Sequence, residues 1–298
     1  MTTTVPAGSV VVGVDGSASA SHAVDEAATL AAAERRPLVL AHAAPAPAPA
    51  GTGWMEATGV DHRHVCRMIK EDARALLSAA EKPVREAYPD LEIHQVIRLG
   101  DPRETLLETS DEAALMVVGT RGLGPIRHLL LGSVSSAMVK HARCPVAVVR
   151  AQPADRGARV VAGIAGEPDD VGILDVAFRV AEARQLPLTV LHCFWDAVRV
   201  AEGIRDVAPG TPGTDDLWHA LEEAVRPHAA AHPGVEVHHQ LSCGMADERL
   251  LQESREAAVV VIGHRRKPFL NELVYGSIAP VVVERAACSV VVVPIGLG

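Results

Sequence analysis

The strongest constraint on this chain is an internal repeat. Val10-Val11-Val12-Gly13-Val14 returns as Val160-Val161-Ala162-Gly163-Ile164, 150 residues later, and His42 returns as His192 at the same offset. Residues 115–119 (LMVVG) return as 259–263 (VVVIG), Gly132-Ser133 as Gly276-Ser277, and 144–149 (CPVAVV) as 288–293 (CSVVVV), each 144 residues later. An offset that changes once along the whole chain means two copies of one module. The join falls in the polar, Pro- and Gly-containing stretch 151–158, so the expected domains are 1–151 and 157–298.

Each copy alternates short β-branched runs with Ala- and Leu-rich stretches. The runs show no polar alternation, as strands covered on both faces require. Strands are expected at 9–14, 38–43, 91–99, 114–119 and 145–150, and in copy two at 159–164, 188–194, 235–242, 258–263 and 289–294. Helices are expected between them, at 19–35, 61–87, 102–113 and 133–142 in copy one. Pro83 should kink or end the second, while Asp101 and Pro102 should cap and open the third. This order means βαβ units and a parallel α/β sheet. The Ala-Pro run at 43–51 reads as an extended connection.

Composition narrows the function classes. The 28 bases against 37 acids give a net charge of −9, without the basic footprint of a general nucleic-acid binder. Aromatics are 3%, so the core must be aliphatic. Five cysteines without C-x-x-C spacing argue against a disulfide framework or a zinc ribbon. Cys144 and Cys288 stand at equivalent strand starts and read as buried, unreactive thiols. His62, His64 and Cys66 alternate on a helix and so point apart, which argues against a metal site. His238 and His239 point to opposite faces of a strand. With no secretory signal and no apolar run of spanning length, the expectation is a cytoplasmic protein that uses no membrane.

The chemistry concentrates at 119–136. A buried strand ends at Gly119; Gly122 follows, then nine residues, then Gly132-Ser133 opening a helix. Glycines without Cβ and a helix N-terminus are what a phosphate needs. The amides of Ser133, Val134 and Ser135 would donate, the hydroxyls of Ser133 and Ser135 would add two donors, and Arg121 and Arg127 offer cations. The spacing fits neither a Walker P-loop, nor G-x-G-x-x-G, nor a G-x-S-x-G nucleophile elbow.

The pattern G-x2-G-x9-G-[ST] after a fourth strand resembles the ATP-binding signature of the universal stress protein family. A first strand running into Asp15, a second ending in His42 and a last one opened by Cys144-Pro145-Val146 agree with it. The resemblance spans the chain as a tandem pair, with 44–90 and 195–234 similar in pattern only. It implies two Rossmann-like, adenine nucleotide alpha hydrolase-like domains, each with five parallel strands. By position it implies Asp15 beside the nucleoside, Ala43 as a backbone contact to adenine, and Gly119, Gly122, Gly132, Ser133 and Ser135 on the phosphate loop. A simpler role for Asp15, capping the first helix together with Ser17, stays open. The resemblance also implies a pseudo-dimer of the two copies through their last strands and leaves room for a homodimer.

Copy two departs from the pattern. Ala165 stands in place of Asp15 and Arg266 in place of Gly122, while Gly263, Gly276 and Ser277 persist. One strong ATP site per chain, with a weaker or degraded second one, is expected. The functional expectation is an ATP-binding stress regulator acting on a protein partner, with Mg²⁺ bridging phosphates and at most slow hydrolysis. The alternatives are a nucleotide-free oligomeric scaffold and an enzyme acting at a nucleotide α-phosphate.

Overall fold

Val10, Val11 and Val12 are each fully buried in strand β1 (Ser9–Gly13), so both faces of the strand are covered. Burying each valine contributes about 1.5–3 kcal/mol, and such runs account for the parallel sheets. The computed structural model describes residues 5–46, 62–120, 122, 131–151, 157–203, 205–265 and 278–296. The chain divides into two compact units, Met1–Cys144 and Pro145–Gly298.

In the first unit, β1 is flanked by β2 (Leu38–Ala44) and β4 (Ala113–Gly119), and β2 in turn by β3 (Ile93–Leu99). All pair in parallel, in the order β3-β2-β1-β4. The helices are α1 (Ala18–Ala33), α2 (His62–Ala87), α3 (Pro102–Thr109) and α4 (Ser133–His141). Helix α1 buries Ala20, Ala23, Ala27 and Ala31. These small side chains let its axis approach the sheet closely. Asp101 caps α3, accepting from the Arg103 amide at 2.8 Å with Pro102 in the first turn, as the sequence predicts. Helix α2 does not end at Pro83 but runs on to Ala87. Ala79 and Pro83 are exposed, so the carbonyl that loses its partner to the proline is solvated.

The second unit carries β6 (Val160–Ile164), β7 (Leu188–Phe194), β9 (Val237–Cys243), β10 (Val259–Arg265) and β11 (Ser289–Ile295). They form the expected five parallel strands, ordered β11-β10-β6-β7-β9. Its helices are α5 (Asp170–Arg184), α6 (Ala197–Ala201), α7 (Asp215–Ala231), α8 (Ala246–Glu253) and α9 (Ile278–Arg285). Fully buried Phe178 of α5 stacks on His228 of α7 and on His232 just beyond it, 5.9 and 5.6 Å between ring centres.

One strand differs from the expectation. The fifth apolar run of copy one, β5 (Val146–Val149), lies in the second unit, antiparallel to β11. Two valine-rich edges cover one another there. A short strand β8 (Asp206–Val207), antiparallel to β9, and helix α6 lie in the stretch where the sequence offers little periodicity.

Cys288 is buried and Cys193 half-buried, and desolvation pushes their thiols up to about 12 and about 11. Thiolate, the reactive form, is then scarce at neutral pH. A thiol reagent at pH 8 followed by peptide mapping should leave Cys288 unlabelled in the native protein and label it after denaturation. Rapid native labelling of Cys288 would contradict its burial.

Candidate functional site

In the first unit the strand order reverses between β1 and β4, and the crevice beyond their C-terminal ends is where α/β sheets take ligands. Three segments meet there: the turn after β1, the end of β4, and the start of α4.

The turn after β1 is held from several sides. Gly16 adopts φ +83°, which favours glycine. Asp15 Oδ1 accepts from the Ser17 amide at 3.0 Å, and Ser17 Oγ, the cap of α1, accepts from the Ala20 amide at 3.1 Å. Asp15 thus takes part in the capping arrangement that the sequence leaves open. His42 Nδ1 lies 2.6 Å from the Val14 carbonyl, a contact that the sequence marks only as a strand ending in His.

At the end of β4, glycine is required for close approach. A Cβ on Gly119 would stand 2.8 Å from the Ser19 carbonyl carbon and oxygen, so α1 could not pack as it does. A Cβ on Gly122 would collide with Oδ2 of Asp15. The carboxylate of Asp15 therefore faces bare main chain at Gly122. This contact joins two separately predicted site residues.

Helix α4 starts against the same edge. The Gly132 amide donates to the Thr120 carbonyl at 2.8 Å, which closes the intervening loop at its base. Ser135 Oγ donates to the Gly119 carbonyl at 2.7 Å and is buried. Its one hydroxyl proton is spent on that bond, so at 135 the amide, not the hydroxyl, is the available donor. Helices α1 and α3 have side-chain caps, whereas the Gly132 cap of α4 offers no side-chain acceptor to its first turn. The amides of Ser133, Val134 and Ser135 begin that turn, with the positive end of the helix dipole behind them. Ala43 lies on β2 in register with Arg98. Arg121 and Arg127 lie outside the described residues.

The equivalent turn of copy two is built differently. Gly166 again has positive φ, +80°. Where Asp15 would stand there is Ala165, and the acid comes from Asp170 instead. Its buried carboxylate accepts from the amides of Ala165 (3.1 Å), Gly166 (2.7 Å) and Glu167 (2.8 Å). This carboxylate, the central feature of copy two's turn, is missed by the sequence reading; the clue available was an acid five residues beyond the missing one. Arg265 at the end of β10 pairs with Asp169 at 3.0 Å; its counterpart in copy one, Arg121, lies outside the described residues. A Cβ on Gly263 would meet Ile173 Cδ1 at 2.7 Å. Arg266, Gly276 and Ser277 lie outside the described residues. Among the described residues there is no cluster of three His, Cys, Asp or Glu side chains arranged for a metal, and no helix is long and apolar enough to cross a membrane.

The family model "Universal stress protein family" matches the chain twice, over residues 7–150 and 158–294. The chain belongs to the universal stress protein family. Two universal stress proteins of Mycobacterium tuberculosis are similar along nearly their whole length. One is 30% identical over 305 residues, covering 95% of this chain and 96% of the relative. The other is 31% identical over 294 residues, covering 95% of each. Among solved structures, a universal stress protein from Archaeoglobus fulgidus has the same fold, with TM-score 0.68, 17% identity, and 97% and 98% of the two chains covered. The tandem arrangement is therefore shared with full-length relatives of this family.

Asp170 supplies the sharpest test of copy two's turn. Replacing it with Ala leaves three amides without their carboxylate, at a cost of about 2–4 kcal/mol. Urea unfolding of Asp170→Ala should show that loss; a change below about 0.5 kcal/mol, the usual range for surface sites, would contradict the role.

Proposed function

We propose that copy one binds ATP and that the protein acts as a stress regulator whose nucleotide occupancy governs its contacts with a protein partner. The observation that carries this reading is the Asp15 carboxylate facing bare Gly122 across the switch point. Beside it, the first turn of α4 is left without a side-chain cap. A carboxylate there accepts from ribose hydroxyls, while a bare helix start donates to phosphate.

In this reading Asp15 holds the ribose and the Ala43 backbone meets adenine. The amides of Ser133, Val134 and Ser135 hold the phosphates, with Arg121 adding charge. Gly119 and Gly122 keep the floor of the site clear. Mg²⁺ would bridge phosphate oxygens, since it keeps most of its shell as water and phosphate. Neither Asp15 nor the α4 turn supplies a base poised on an attacking water, so hydrolysis is at most slow. Copy two, with its turn amides occupied by Asp170 and its rim tied by Arg265 and Asp169, binds nucleotide weakly or not at all. The role places the protein in the cytoplasm.

A ligand that binds only the native state adds about 2.7 kcal/mol at a hundredfold excess over Kd. ATP at that excess should raise the melting temperature of the wild type. Asp15→Ala should reduce the rise and Gly122→Glu, which sets a second carboxylate against Asp15, should abolish it. Equal rises in all three proteins would remove both residues from the site.

A further inference from the structure

The ring of His42 has a task that the reading above leaves unassigned. Pairing between β1 and β2 ends at Gly13 and Ala41, although the Val14 amide still donates to the Ala41 carbonyl at 2.8 Å. The Val14 carbonyl, one step further, meets His42 Nδ1 at 2.6 Å. A carbonyl only accepts, so Nδ1 carries the proton and donates it. That carbonyl belongs to the same rigid peptide plane as the Asp15 amide. Ala43 directly follows His42. One hydrogen bond therefore ties the plane from which Asp15 departs to the strand position that precedes Ala43.

Copy two holds the matched comparison. His192 Nδ1 lies 3.3 Å from the Ile164 carbonyl, the same residue type on the corresponding carbonyl. The next residue there is Ala165, whose amide is already bound by Asp170, so the ring has no carboxylate to orient. The histidine is common to both copies, but the shorter bond and the acid behind it occur together in copy one.

We propose that His42 is a positioning residue for nucleotide binding: by holding the Val14 carbonyl it presents the Asp15 carboxylate beside the Ala43 backbone. The inference rests on copy one being an ATP site. Without the ring donor the Val14–Asp15 plane is freer to rotate, and Asp15 must be ordered when the ligand arrives, which weakens affinity.

The test titrates ATP into the full-length wild type, His42→Phe, His42→Asn, His192→Phe and Asp15→Ala. Phe fills the ring volume without a donor, and Asn restores an N–H at the place of Nδ1. His42→Phe should bind ATP about three- to tenfold more weakly, the worth of one hydrogen bond. His42→Asn should return close to wild-type affinity, and His192→Phe should match the wild type. Wild-type affinity in His42→Phe, no rescue in His42→Asn, or an equal loss in His192→Phe would each overturn the positioning role. Weakened binding by Asp15→Ala in the same series would leave the ATP site itself standing. A wild type that binds no ATP overturns both. A second readout needs no variant: saturating ATP should shift the Nδ1 nitrogen resonance of His42 and leave that of His192 in place. An unmoved His42 resonance in a protein that binds ATP overturns the role.

Discussion

The candidate site depends on the absence of two β-carbons. At Gly119 the main chain of β4 meets the main chain of α1, and at Gly122, three residues beyond the strand, the chain meets the carboxylate of Asp15. An alanine at Gly119 would push α1 away from the sheet, and with it the turn that carries Asp15. An alanine at Gly122 would displace the carboxylate itself. The remaining features follow from this close approach. The loop can close at Thr120 and Gly132, Ser135 can reach the Gly119 carbonyl, and α4 begins at the sheet edge with its first turn uncapped.

The two copies show how one backbone frame serves different ends. Both first strands of the repeat end in a turn with a left-handed glycine, Gly16 or Gly166, and both turns are met by a histidine from the next strand. In copy one the acid sits at the head of the turn, where it accepts from the Ser17 amide and lies against Gly122. In copy two it is moved five residues along, to Asp170, and folds back into the amides. A buried carboxylate is stable only when hydrogen-bonded, and these three donors satisfy it. The acid of the turn thus binds one amide from its head in copy one and three amides from five residues further on in copy two.

Much of this was legible in the residues, because the features involved are local. Strands without polar alternation, the Asp101-Pro102 helix start and the repeated glycines each carry their own physical signature. The family followed from their spacing and order. What was not legible depends on tertiary partners. Nothing near Asp170 marks it as the occupant of a turn five residues earlier. The Ser135 hydroxyl reads as a phosphate donor until the Gly119 carbonyl claims its proton. Val146–Val149 has the composition of a parallel core strand, yet it lies antiparallel to β11, and composition does not encode direction. Pro83 fails to stop α2 because its face of the helix is exposed to water.

The central proposal is that copy one binds nucleotide between Asp15 and the first turn of α4, whereas in copy two the Asp170 carboxylate occupies the amides of the equivalent turn. A crystal structure of the full chain grown with saturating ATP and Mg²⁺ tests it most directly. The account predicts nucleotide between Asp15 and the first turn of α4, with the Asp170 carboxylate still bound to the amides of residues 165–167. Nucleotide bound in copy two with Asp170 displaced, or a crevice at Asp15 holding only solvent, would contradict it.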